Sequence, residues 1–312
     1  MMTERPGTLV PFALRDLEWV ISAPFLLKSP PEPALAALPE TGELLARLTA
    51  DPAPLLAYLE AAGPLNLGRY FERLMIFWLE NLPAVTLLGS NIRISDDKRT
   101  LGEIDLLFLH GAVAYHWELA VKFYLNIGNG GNEASYMGPM LKDRLDRKLD
   151  RLFGHQLTLP ERAATKSTLS RLGIETVLSQ PFVKGCLFHP LARLRAAPQM
   201  PDRIAPDSFS GHWLTLPEIG SGALPGFDHF LLLEKKRWIT PWFYRDEAMS
   251  GGPDRLATAM QAAFGRRSAP QLVALFRDEG GEILANAGRY FITPNDWPAL
   301  ARKAHDSQKL GD

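Results

Sequence analysis

Apolar positions recur along the chain with two periods. A helical period marks residues 13–22 and 42–62. In the longer stretch Leu44, Leu45, Leu48, Leu55, Leu56 and Leu59 share one stripe, interrupted at Asp51-Pro52. With the Pro-rich turn at 30–33, this predicts a helical N-terminal layer. Asn66 is a suitable N-cap for a helix over 67–81 (LGRYFERLMIFWLEN) that is apolar nearly all round and therefore buried. The period then shortens. Strands are predicted at 85–95, 101–109 and 113–124, with a loop at 96–100 and a Gly-rich loop, NIGNGGN, at 126–132. A helix follows at 140–157, with Leu141, Leu145, Leu149 and Leu152 on one stripe. A second helix is expected at 161–172 and a strand at 181–189. Residues 67–189 thus read α-β-β-β-α-(α)-β. Beyond them come strands at 211–216, 229–235, 271–277 and 283–292 and a helix near 254–264, with DEGG at 278–281 as a hairpin turn. The organisation is α/β: a helical segment at 1–63, a core at 64–192 and an α+β accessory region at 193–312.

Composition narrows the classes. The chain has 312 residues, 46% hydrophobic and 22% charged, so it can fill a sizeable core of one large or two ordinary domains. Cys186 is the single cysteine, which excludes an internal disulfide framework and a cysteine-based zinc site. The start, MMTERPGTLVPF, lacks the pattern of a secretory signal, and no apolar run is long enough to span a membrane. The expectation is a cytoplasmic protein without a membrane partner; the oligomeric state is left open. A formal net charge of −1 argues against an evenly basic surface but leaves room for a local basic groove.

The informative residues are charges inside segments that otherwise read as core. Glu72 lies on the apolar helix, where burial of an unpaired carboxylate costs several kcal/mol. Pairing with Arg69 or Arg73 is the structural alternative. Glu103 and Asp105 share one strand face, as do Glu118 and Lys122 on the next strand. If Gly111-Ala112 is a two-residue turn, His110 pairs with Val113, Asp105 faces Glu118 and Glu103 faces Ala120. Facing carboxylates repel unless a positive group lies between them. A divalent metal serves, and hard oxygen donors favour Mg²⁺ or Mn²⁺. The alternative is a charged, solvated hairpin face.

These residues sit in longer runs. GRYFERLMIFWLENLP, TLGEIDLLF, HWELAVKFYL and GPMLKDRLDRKLDRLFGHQL, with RDLEWVISAPFLL near the start and RYFITPNDWP near the end, resemble an uncharacterised bacterial domain-of-unknown-function family. That family is placed by resemblance in the PD-(D/E)xK, or restriction-endonuclease-like, nuclease superfamily. The resemblance implies an α-β-β-β-α-β core and a site built from Glu72, Asp105 and the Glu118–Lys122 segment. It also implies metal-assisted phosphodiester hydrolysis on DNA or RNA, with Asp105, Glu118 and Glu103 as metal ligands and Lys122 orienting water or stabilising charge on the phosphate. The chain departs from the superfamily at Ala120, where the acid two before the lysine usually stands. Glu118 or Glu103 would supply a migrated carboxylate. The competing reading is a catalytically inactive nuclease-fold module that binds nucleic acid or protein.

A nucleic-acid substrate needs a positive approach. Residues 142–171 hold eight Lys or Arg against four acids. On an ideal helix Lys148 and Gln156 fall within or beside the apolar stripe, facing the sheet. With Arg144 and Arg151 they are the expected nucleic-acid contacts. An amphipathic solvated helix with pairs such as Asp143–Arg147 is the alternative. EKKRWITPWF at 234–243 mixes charge with aromatics but reads better as a strand and turn with Trp238 and Trp242 in the core. GNGG at 128–131 lacks a following GK[ST] and is no P-loop. The histidines show no metal-binding spacing, and G-x-S-x-G is absent. His116 shares the charged face, either as a ligand or as a satisfied hairpin histidine. Cys186 reads as core.

Overall fold

A computed structural model describes residues 10–28, 31, 33–96, 99–193, 199–280 and 285–309. Parts of the predicted 30–33 turn, 96–100 loop and 278–281 turn, and the first residues of the 283–292 strand, lie outside them. The protein is mixed α/β and divides into two compact units. Among the described residues no helix is long and apolar enough to cross a membrane.

The first unit comprises residues 1–23, 31–120 and 159–182. It holds helices α1 (Phe12–Ser22), α2 (Pro39–Ala50), α3 (Ala53–Ala61) and α4 (Leu67–Glu80), and strands β1 (Val85–Ser95) and β2 (Thr100–His110). The first part of strand β3 (Val113–Asn126) belongs to it as well. The break at Asp51-Pro52 separates α2 from α3 as predicted. Asn66 caps α4, its side-chain oxygen accepting the Arg69 N–H at 3.1 Å. The apolar face of α4 seats Trp78 against Trp117 and Phe182, with Phe108 edge-on to Trp117 at 4.8 Å. Trp78 is buried, and its indole N–H donates to Thr41 at 3.1 Å. Leu107 and Ala114, which alternate with those aromatic positions, pack with Leu159, Leu169 and Ile174. The last of these residues come from helix α6 (Ala163–Arg171) and the turn after it.

β1 and β2 are antiparallel, and so are β2 and β3. The second ladder runs from His110↔Val113 to Leu106↔Trp117, the register that the Gly111-Ala112 turn predicts. Gly111 has φ +61°, which a two-residue turn requires of its first position and glycine adopts without strain.

The second unit comprises residues 24–30, 121–158 and 183–312. It contains the second part of β3, the short strand β4 (Tyr136–Met137), helix α5 (Leu145–Arg151) and most of strand β5 (Leu178–Pro190). Strands β6 (Phe209–Thr215), β7 (His229–Leu233), β8 (Met249–Ser250), β9 (Gln271–Arg277) and β10 (Ala285–Thr293) follow, with helices α7 (Pro253–Arg266) and α8 (Trp297–Lys309). Strand order is β5-β6-β10-β9-β7-β8, with β5–β6 and β6–β10 parallel and the remaining pairs antiparallel. Leu214, Phe230, Leu256, Met260, Val273, Leu275 and Ile292 form its core.

Three expectations change here. The helix read over 140–157 begins only at Leu145, because Leu141 takes φ +59° in a turn closed by Gly138 N–H to the Asp143 carbonyl at 2.8 Å. It then widens into one π turn over Leu152–Gln156. Trp242 is 52% exposed and not core, whereas Trp238 is buried. Sequence pattern does not mark helix α8: its only strongly apolar positions are Trp297, Leu300 and the alanines, too few to form a stripe.

Gly185 on β5 has φ +152°, and a Cβ there would lie 1.9 Å from the Lys122 carbonyl oxygen. Gly185→Ala is therefore expected to lower unfolding free energy by about 3 kcal/mol. Urea denaturation checks this; Gly220→Ala, where a Cβ meets nothing within 4 Å, serves as the comparison.

Candidate functional site

The predicted acids gather in the first unit. Glu72 sits on α4, half-buried, and its carboxylate accepts from the Arg69 guanidinium at 2.8 Å. Arg69 also donates to the Asn91 side chain on β1. Asn91 itself has φ +53°, a left-handed conformation that asparagine tolerates better than most residues. Glu103 stands opposite Arg93 in the β1–β2 ladder. Glu72, Glu103 and Asp105 all act electrostatically on Arg69 and hold its guanidinium protonated, Glu72 most strongly.

Asp105 lies one step beyond the last rung of the β2–β3 ladder, Leu106↔Trp117. There its carboxylate accepts the backbone N–H of Leu119 at 2.8 Å. A side chain, not a strand carbonyl, satisfies that donor. Continuation of the register sets Asp105 opposite Glu118. Glu118 is buried, with one carboxylate oxygen 3.1 Å from His116 Nε2. The other ring nitrogen, Nδ1, is 3.1 Å from the Ser179 hydroxyl at the start of β5. His116 is thus the satisfied histidine of the sequence reading, paired with Glu118 and Ser179.

Burial pushes the Glu72 carboxyl above its ordinary value; Arg69 opposes the shift, and Glu103 and Glu118 add to it. The four acids are near enough for Glu72 to feel two of the others. All are oxygen donors, the chemistry that suits a hard divalent cation. Among the described residues, no three His, Cys, Asp or Glu side chains are grouped to hold a metal ion. A site here therefore rests on two carboxylates at most, which is how Mg²⁺ is commonly held, with water and phosphate oxygens completing its shell.

The other predicted residues lie in the second unit. The Lys122 ammonium is 2.6 Å from Asp143 and tied to it in an ion pair. Asp143 precedes α5 and so does not make the helical Asp143–Arg147 pair considered from sequence. Arg144 is buried and forks Asp146 with two bonds at 2.7 and 2.8 Å. Lys148 donates to Gln156 at 2.8 Å, a contact reached across the π turn. Arg151 is exposed. Sequence pattern singles out neither Asp143 nor Ser179: the first falls within the helix that spacing predicts, and the second sits at a strand start.

A family model described as a domain of unknown function, DUF1853, matches residues 15–293. The chain belongs to the DUF1853 family. No curated protein and no solved structure matches it. The family match spans α1 to β10, so all four acids, Lys122 and the residues of α5 lie inside it.

Glu72 supplies a test of the cluster's electrostatics. With its folded-state pKa raised, the native state binds more protons than the unfolded chain between the two values, and stability falls as pH rises through that interval. The burial penalty is absent below the unfolded value and fully present above the folded one. Glu72→Gln is expected to gain in melting temperature relative to wild type between pH 4 and pH 7, measured by calorimetry at matched ionic strength. An equal offset at both pH values would show that the cluster does not perturb this carboxyl.

Proposed function

We propose that this protein is a metal-dependent phosphodiester hydrolase acting on DNA or RNA, with a PD-(D/E)xK nuclease-like core. The observation that carries the reading is the β2–β3 register, which ends at Leu106↔Trp117 and, extended by one residue, would set Asp105 opposite Glu118. Around them, Glu72 and Glu103 are near enough to feel one another's charge. The order α4-β1-β2-β3-α5-α6-β5 supports it, with a 3-10 turn at Glu133–Ser135 and the two-residue β4 added between β3 and α5. So does the resemblance of the Glu72, Asp105 and Glu118–Lys122 runs to that superfamily.

Asp105 and Glu118 would hold Mg²⁺ or Mn²⁺, with Glu103 and Glu72 contributing negative charge around them. The cation, when bound, supplies Lewis acidity and an acidified water. The chain's own groups do the remaining work. Arg69 offsets part of the like-charge repulsion at Glu72, Glu103 and Asp105. The Leu119 N–H and His116 orient the two ligand carboxylates. Lys122 is the amine of the proposed site, and Lys148, Gln156, Arg144 and Arg151 are proposed to meet the nucleic-acid backbone.

A second reading, a nuclease-fold module that binds nucleic acid or protein without cleaving it, is favoured by specific observations. Ala120 occupies the usual acid position, Lys122 is held by Asp143, and no three-donor group is present among the described residues.

The full chain, incubated with Mg²⁺ or Mn²⁺ and labelled single- and double-stranded DNA and RNA, is expected to cleave at least one substrate and to stop on chelation. Asp105→Asn is expected to slow cleavage by about 100-fold or more. It should also abolish the rise in melting temperature that the cation gives wild type. Retention of nucleic acid without cleavage or cation response would select the binding module. Neither binding nor cleavage would overturn the nucleic-acid assignment altogether.

A further inference from the structure

The first unit carries a second constellation, and it uses Glu118 without requiring a cation. Ser179 Oγ, His116 Nδ1, His116 Nε2 and Glu118 Oε1 form a continuous chain with two links of 3.1 Å each. Burial is graded along it. Glu118 and His116 are 1% and 0% exposed, whereas Ser179 is only partly buried and stands at the mouth of β5. The imidazole is therefore buried, and its Nδ1 faces a hydroxyl on a partly buried residue. With the ring hydrogen on Nε2 donated to Glu118, Nδ1 is left as an acceptor for the serine O–H. That is the arrangement that activates a nucleophile: a hydroxyl, a base within hydrogen-bond reach and a carboxylate that orients the base.

We propose that Ser179, His116 and Glu118 form a nucleophilic relay that hydrolyses an uncharged carboxylic ester. The charge requirement follows from the neighbourhood. The Glu118 carboxylate stands one imidazole away from the Ser179 hydroxyl and disfavours an anionic ester there. In the first step Ser179 Oγ bonds to the acyl carbon as its proton passes to His116 Nδ1. The ester C–O bond breaks, and the alcohol departs with that proton. Water then adds to the acyl carbon, giving a proton to Nδ1; the Ser179 C–O bond breaks and Oγ recovers the proton, releasing the carboxylic acid. The inference goes beyond phosphodiester hydrolysis and does not depend on it.

The test uses the full chain in EDTA, where no cation-dependent reaction contributes. A neutral fluorophosphonate probe is added, the adduct is located by peptide mass spectrometry, and p-nitrophenyl butyrate hydrolysis is followed in parallel. The expected result is one adduct, on Ser179, lost on urea unfolding, together with ester turnover abolished by Ser179→Ala. His116→Gln is expected to slow labelling about 100-fold or more, with melting curves confirming that it folds. Should His116→Gln fail to fold, Ser179→Ala, a small change at a half-buried position, carries the comparison by itself. A folded wild-type chain that gives no adduct at Ser179 and no turnover above Ser179→Ala overturns the proposal and leaves Ser179 as a hydrogen-bond partner of a buried histidine.

Discussion

Carboxylates drawn out of water need donors, and the first unit supplies them at Glu72, Asp105 and Glu118. Two facing carboxylates without a counter-charge lose several kcal/mol at the effective dielectric of a protein surface. The fold answers with specific donors. Arg69 reaches Glu72 and is stabilised by Glu103 and Asp105 as well. The Leu119 N–H takes Asp105, and His116 takes Glu118. The donors come from one turn earlier on α4, from the neighbouring strand and from two residues back on β3, so the cluster is legible only once α4, β2 and β3 are in place. The strands are in place because a two-residue turn at Gly111-Ala112 fixes one register; a slip by one residue would send Asp105 and Glu118 to opposite faces.

The second unit follows the same rule with the signs exchanged. Lys122 is answered by Asp143, the buried Arg144 by Asp146, and Arg203 by Glu133. These pairs make the basic segment around α5 less bare than its sequence suggests. Arg151 is exposed, and Lys148 donates to the Gln156 amide.

Much of this was readable from residues alone, and the limits have physical causes. The strands were legible because alternation with period two is strong in GEIDLLF and AYHWELAVKF, and the register because a glycine turn of two residues leaves one choice. The start of α4 was legible because Asn66 is a capping residue before an apolar run. The start of α5 was not: Leu141 keeps the helical spacing of the stripe yet takes a left-handed backbone, and spacing carries no information on φ. Arg69 was one of two candidates for Glu72, and only the fold separates them, since Arg73 lies instead over the Tyr58 ring. Ser179 was invisible because its partner is sixty-three residues earlier in the chain, on another strand.

The central claim is that Asp105 and Glu118 converge on one cation-binding position. Anomalous diffraction from crystals soaked in Mn²⁺ addresses it most directly. The account predicts a single strong peak at about 2.1 Å from a carboxylate oxygen of both residues, absent in Asp105→Asn. A peak elsewhere, or none at this position under saturating Mn²⁺, would contradict it.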